Sequence, residues 1–296
     1  MARSVQCLMF EAQGNGSLPH KHKGFHMFVS ARRSVSLTAL LLGSAAAACA
    51  APAAHLAPAA SAATPTVCTG GTVHNAADAA KYAACDAVVG DLSIQGSDLT
   101  NLDVLARLRS VSGTLAVSDN PRLDDLSGLE QLSSVGRLEI ANNRALDGIE
   151  ALQHLESAEA VTIRDNSDLR TLQGLEGLAT LQSLSIEHNG IYSTIGLDHL
   201  RTVGSLVVKH NSKLISLVGL KTLQRAKSIE IRNNPLLAAY YGLLPQLQQV
   251  DDQLLLLSNG GLAKHEVREV LDRVGHGSFT PALAKRAQDR ELSSLR

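Results

Sequence analysis

Aromatic side chains are scarce in this 296-residue sequence. They make up 3 %, tryptophan is missing, and all four phenylalanines (Phe10, Phe25, Phe28, Phe279) lie outside the patterned region described below. Sugar-stacking and base-stacking platforms need exposed ring faces, so this scarcity counts against both. A surplus of one charge is also lacking. The formal net charge is −1, which leaves no polyanion-binding footprint and no expectation of a nucleic-acid partner. Nor is there a glycine-rich phosphate loop after a strand, a Gly-x-Ser-x-Gly elbow, or a serine or aspartate placed beside a histidine as a nucleophile would be. No catalytic residue, metal or cofactor is therefore expected, and the chain is read as no enzyme. Any core has to be filled by Leu, Ile, Val and Ala.

What is present is a phrase written eight times: LSIQGS, LAVSDN, LEIANN, VTIRDN, LSIEHN, LVVKHN, IEIRNN and LLLLSN. Their first residues are Leu92, Leu115, Leu138, Val161, Leu184, Leu206, Ile229 and Leu254, spaced by 23, 23, 23, 23, 22, 23 and 25. A period of this length marks a solenoid. The alternation at the start of each phrase predicts a short half-buried strand with its first and third residues inward. The recurring Asn120, Asn143, Asn166, Asn189, Asn211, Asn234 and Asn259 predict a buried ladder, because an amide can both donate to and accept from the backbone of the next turn. Ser97 takes that place in the first, atypical unit. Leucines such as Leu123, Leu126, Leu129 and Leu132 then recur every three residues, which suits a 3₁₀ or irregular return, or a second short strand, better than a full helix.

The expected fold is mainly β: a right-handed leucine-rich parallel β-helix or solenoid of about eight turns with a C-terminal capping helix. That helix is read from GGLAKHEVREVLDRVG, where Leu262, Val267, Val270, Leu271 and Val274 have amphipathic spacing. The segment VVGDLSIQGS after Cys85, followed by VSGTLAVSDNPRLDDLSGLEQLSSVGRLEIANN, resembles the receptor L-domain family. These are leucine-rich β-helical modules of receptor ectodomains and bacterial surface proteins. The resemblance covers about residues 68–275 and implies architecture rather than a ligand; ordinary leucine-rich repeats are the alternative.

The first third reads as an address. Arg32 and Arg33 precede an apolar run of about 15 residues and then small residues, the pattern of a secretory signal peptide rather than of a spanning helix. Met27 is the expected start, with residues 1–26 an artefact or an extended leader. The paired arginines lack the rest of a twin-arginine motif. Cys49, directly after GSAAAA, resembles a lipobox cysteine, although Ala46 stands where that family usually has Leu. A lipid on Cys49, giving membrane attachment, and cleavage at an Ala-x-Ala site before about residue 64 both remain open. Either way the product is exported, to the bacterial cell envelope or beyond, and Cys68 and Cys85 then most simply form a disulfide. The expected organisation is 1–49 extension and signal peptide, 50–66 Ala/Pro-rich linker, 67–275 solenoid with caps, and 276–296 tail.

Candidate contacts lie on the outward strand positions. Arg164, Glu187, Lys209 and Arg232 should form a charged row flanked by Glu139, Thr162 and Glu230, either a face for a protein or polysaccharide partner or a solubilising surface. Self-association of the stack is a further reading, and the sequence leaves the oligomeric state open. Residues 90–160 hold 12 acidic and 5 basic residues, net −7, whereas 161–250 hold 6 and 9, net +3, a gradient able to orient a partner. His188 and His210 occupy equivalent places before the asparagine and read as a surface pair, since two imidazoles make a poor metal site. HEVRE at 265–269 has Glu where a zinc-protease motif needs its second His, so Glu266 reads as helix surface.

Overall fold

The computed structural model describes residues 64–239 and 241–274. The leader, Cys49, nearly all of the linker and the tail lie outside the described residues. Nine strands form one sheet in sequence order, every neighbour parallel. They are β1 (Val67–Val73), β2 (Ala87–Gln95), β3 (Ser110–Ser118), β4 (Ser134–Ala141), β5 (Ala160–Arg164), β6 (Thr180–Glu187), β7 (Thr202–Lys209), β8 (Arg225–Arg232) and β9 (Gln249–Leu257). A sheet of consecutive parallel strands requires the chain to cross back after each one, and the result is a leucine-rich β-solenoid of about eight turns.

The strands begin earlier than the alternation alone indicates. The pairs that close each repeat (SV, TL, TV, RA, QV) are the first half of a bent strand, and Val88, Val111, Val135, Leu181, Val203, Ala226 and Val250 are buried there. The second half buries Leu92 with Ile94, Leu115 with Val117, and so on around to Ile229 with Ile231. From Val203 to Leu206 is three residues, an odd step that would flip the side chain outward in a flat strand. The bend between the halves keeps both inside, and it hides the first half from a search for strict alternation.

The returns are the tight turns that three-residue leucine spacing demands. Three contain 3₁₀ segments, Asp103–Leu105, Glu150–Leu152 and Val218–Leu220, and their leucines form buried columns such as Leu129, Leu152, Leu175, Leu197 and Leu220. Each such side chain contributes about 1.5–3 kcal/mol through burial, but only against its neighbours above and below. Four returns carry a glycine that space forces: Gly128, Gly174, Gly196 and Gly219. At Gly196, with φ of 107°, an added Cβ would lie 2.0 Å from the Leu172 carbonyl oxygen of the turn before. The return side is also stitched by backbone bonds: Asp147 N–H donates to Asp124 O, Arg170 to Asp147, Tyr192 to Arg170, Ile215 to Tyr192 and Ala238 to Ile215, at 2.9–3.2 Å.

The asparagine ladder is complete. Each ladder Oδ1 accepts the backbone N–H of its counterpart one turn earlier, from Asn120 N to Asn143 Oδ1 at 3.0 Å through to Asn234 N to Asn259 Oδ1 at 3.2 Å. Each Nδ2 donates to a strand carbonyl of the preceding turn, as Asn166 does to Ile140 O at 3.1 Å. Ser97 closes the ladder, with its backbone N–H and its hydroxyl both donating to Asn120 Oδ1.

Both ends are covered. At the N-terminal end the segment before the first repeat contributes β1 and a short helix, α1 (Ala76–Ala80), and Cys68 is joined to Cys85 by a disulfide, as expected. Asp86 ties this cap down by accepting from Thr66 N at 2.7 Å and from Arg107 Nη2 at 3.1 Å; these two donors hold its carboxyl below the usual range. At the other end α2 (Lys264–Val274) buries Val270 and Val274 against the core, and Arg273 donates to Leu244 O at 2.7 Å. No helix among the described residues is long and apolar enough to cross a membrane.

Replacing Asn166 by Ala leaves the Asn143 N–H and the Ile140 carbonyl buried without their partner. Each orphaned group costs about 1–3 kcal/mol, so the variant is expected to lose about 2–6 kcal/mol in urea unfolding, whereas Gln173→Ala on the exposed return side changes stability by less than about 0.5 kcal/mol.

Candidate functional site

The outward strand positions stand in the expected rows. Strand pairing puts Glu139 opposite Thr162, Arg164 opposite Glu187, Glu187 opposite Lys209, and Lys209 opposite Arg232. The charges engage one another across turns. Arg164 bonds Glu139 at 3.1 Å and Asp165 at 3.2 Å, and these carboxylates raise the pKa of its guanidinium. Lys209 meets Glu187 at 3.2 Å. Burial pushes the Glu187 carboxyl up, but the Ser185 hydroxyl at 2.7 Å and the Lys209 ammonium outweigh it and hold the group below its ordinary value. Arg232 Nε lies 2.6 Å from Glu230 Oε1, at an angle that makes the contact an ion pair rather than a hydrogen bond.

Two hollows flank the Glu139–Arg164 pair. One, of about 420 Å³, lies at the strand bend and is lined by Thr114, Arg137, Glu139, Glu159, Thr162 and Gln182. It coincides with β5, whose upstream half contributes only an isolated bridge, Ser134 to Ser157. The other, of about 410 Å³, lies at the asparagine corner among Asp119, Asn142, Arg144, Arg164, Asp165 and His188. Both are polar and of mixed charge. Such linings recognise ligands by paired hydrogen bonds rather than by apolar contact. The structure thus brings Glu139, Thr162 and Arg164 together, and places Glu187, Lys209, Glu230 and Arg232 farther along the same face.

The corner holds a feature that sequence reasoning passed over. Gly96, Asp119, Asn142, Asp165, His188, His210, Asn233 and Ser258, each one residue before the ladder position, all have φ between 53° and 59°. This left-handed conformation is tolerated best by Gly, Asn, Asp and His. The signal was legible: the position carries only small, polar or imidazole side chains. The shared geometry also explains the two histidines. Their rings stack at 4.6 Å between centroids and 5° between planes. His188 Nδ1 lies 3.9 Å from Asp165 Oδ1, and Asn233 Nδ2 lies 3.3 Å from His210 Nε2. Burial, then the neighbouring His188, Arg232 and Lys209, lower the pKa of His210 below the ordinary histidine value. Among the described residues no group of three His, Cys, Asp or Glu side chains is placed to hold a metal ion. Glu266 is occupied at the start of α2, accepting from Ala263 N at 2.8 Å.

Comparison with protein-family models, with curated proteins and with solved structures finds no match to this chain. The functional reading therefore rests on the chain's own sequence and geometry.

A lowered folded pKa means that the unfolded chain binds more protons between the two pKa values. The His210 contribution to stability is accordingly full above the unfolded value of about 6.5 and is lost as pH falls from there through the folded value. In a ¹H–¹⁵N titration His210 is expected to titrate below an ordinary histidine, and His188→Asn to move it upward by removing the neighbouring imidazole. An unmoved His210 in that variant would contradict the coupling.

Proposed function

We propose that this chain is a non-enzymatic, exported bacterial cell-envelope protein whose receptor L-domain-like solenoid binds a protein or polysaccharide through its strand face. The observation that carries the proposal is the pair of polar hollows on either side of the Glu139–Arg164 bridge, continued by the Glu187, Lys209, Glu230 and Arg232 rows. A surface meant only for solubility needs no such relief. The ion pairs themselves contribute little to stability, since exposed pairs are typically worth about 0–1 kcal/mol; their use lies in fixing long side chains in place for a partner. Export is supported by the leader-like pattern before residue 50 and by the Cys68–Cys85 disulfide, which persists in an oxidising compartment. Whether a lipid on Cys49 or cleavage nearer residue 64 completes export is read by the intact mass of the mature protein.

Binding of the purified protein to isolated cell envelope is the direct test. The double variant Arg164→Glu/Arg232→Glu is expected to weaken it at least tenfold while lowering the urea midpoint only modestly, because both side chains are partly exposed and their ion pairs are worth little to the fold. Equal binding by the variant and the parent would remove the strand face from consideration.

A further inference from the structure

The return side of the solenoid, opposite in role to the strand face, carries a second surface. Two outward columns run along it, joined by the turn-to-turn backbone bonds described above. One column is Asp124, Asp147, Arg170, Tyr192, Ile215, Ala238; the other, three residues later in each turn, is Ser127, Glu150, Gln173, Ile195, Val218, Tyr241. Both change character at the same height. The N-terminal half is acidic: Asp124, Asp147 and Glu150 are exposed, with Asp103 and Asp125 beside them, and none of the five is in an ion pair among the described residues. The C-terminal half is apolar. Among the described residues, the large hydrophobic side chains that stand exposed are Val67 and Val89 near the N-terminal cap, and Tyr192, Ile195, Ile215, Leu236 and Tyr241 here. Tyr241 is 73 % exposed and Leu236 55 %.

Nothing in the folding of a repeat requires this. Equivalent positions in earlier turns hold Asp, Arg, Gln, Glu and Ser without loss of the fold, so propensity and core packing do not select tyrosine and isoleucine there. Contiguous exposed apolar residues on a soluble surface mark interaction sites, and tyrosine is among the side chains that anchor them. The strand face, by contrast, has no aromatic anchor.

We infer that the return face of turns two to seven docks a polypeptide segment of another protein, one with apolar side chains at one end and basic side chains at the other. The apolar end covers Tyr192, Ile195, Ile215 and Tyr241, and the basic end lies along Asp124, Asp147 and Glu150. Charge complementarity decides the occupant: Asp124, Asp147 and Glu150 outnumber the one cation of the two columns, Arg170, which stands with Gln173 between them and the apolar half. Five turn spacings of about 4.8 Å make roughly 24 Å, the reach of about seven extended residues or sixteen helical ones. A single segment therefore covers both halves. This rests on the binding role proposed above and chooses protein over polysaccharide for at least one partner, at a site separate from the polar hollows.

The test uses a displayed library of random 12-residue peptides, selected on the full chain and then re-bound to variants. Peptides carrying a cluster of Leu, Ile, Phe or Tyr next to Lys or Arg are expected. Their binding should fall at least tenfold with Ile215→Asp, fall severalfold with Asp124→Asn/Asp147→Asn, and weaken with added salt. All these substitutions are on exposed positions, and the second variant reads the acidic half even if the first perturbs the turn. Absence of enrichment, peptides without basic residues, or peptides that bind Ile215→Asp as well as the parent would each overturn the inference. So would a parent dimer in sedimentation that Ile215→Asp dissociates, since the face would then belong to a second copy. Peptides or envelope material lost with Arg164→Glu/Arg232→Glu, but not with Ile215→Asp, would overturn this inference while leaving the strand-face proposal intact.

Discussion

An asparagine amide closes the same corner in seven successive turns, buried in all but the last, and the rest of the molecule is arranged around that requirement. The chain must leave its strand abruptly, and a residue with φ near 55° is what turns it. That bend withdraws a backbone N–H and a strand carbonyl from the sheet and buries both. One amide side chain satisfies both groups, because its oxygen accepts while its nitrogen donates. Aspartate would supply no donor and leucine neither function. With each asparagine serving the turn before it, the corner is coupled along the whole stack, from the Ser97 hydroxyl to Asn259.

This coupling explains why the repeat core can be built from leucine, with Tyr82 of the N-terminal cap the one aromatic side chain in the core among the described residues. Each turn is a thin layer, too small to fold alone, and its buried leucines gain only when the layers on either side are present. The ladder fixes the height and rotation of each layer, so that inward side chains fall into columns. The end layers lack one neighbour, and there the chain spends other devices: a disulfide and the Asp86 contacts at one end, an amphipathic helix at the other.

Much of this was legible in the sequence, for physical reasons that also mark where legibility stopped. The period, the ladder and the cap helix are each dictated by a side chain whose role cannot be shared, so they stand out as columns. The upstream half of each strand did not, because the bend between Val203 and Leu206, repeated in other turns, breaks the alternation that identifies strands. β1 was also hidden: VCTGGTV alternates poorly and its pairing with β2 depends on a neighbour far along the chain. The charged strand rows were placed correctly, but the hollows beside Glu139 and Arg164 depend on how layers twist and on the shortened β5. The apolar patch around Tyr192 and Ile215 was readable in principle, since it consists of apolar residues at return positions that elsewhere are polar.

The molecule therefore offers two unlike faces on one rigid stack, a polar relief on the strands and an acidic-to-apolar ramp on the returns. Their separation rests on the claim that the turns behave as one coupled body. Native-state hydrogen exchange at the ladder asparagines tests that claim most directly. The backbone N–H groups of Asn120, Asn143, Asn166, Asn189 and Asn211 should share one high protection that falls only with global unfolding. Rapid exchange at any one of these amides while the flanking strands stay protected would show that the corners open independently, and would contradict the ladder as the element on which the stack depends.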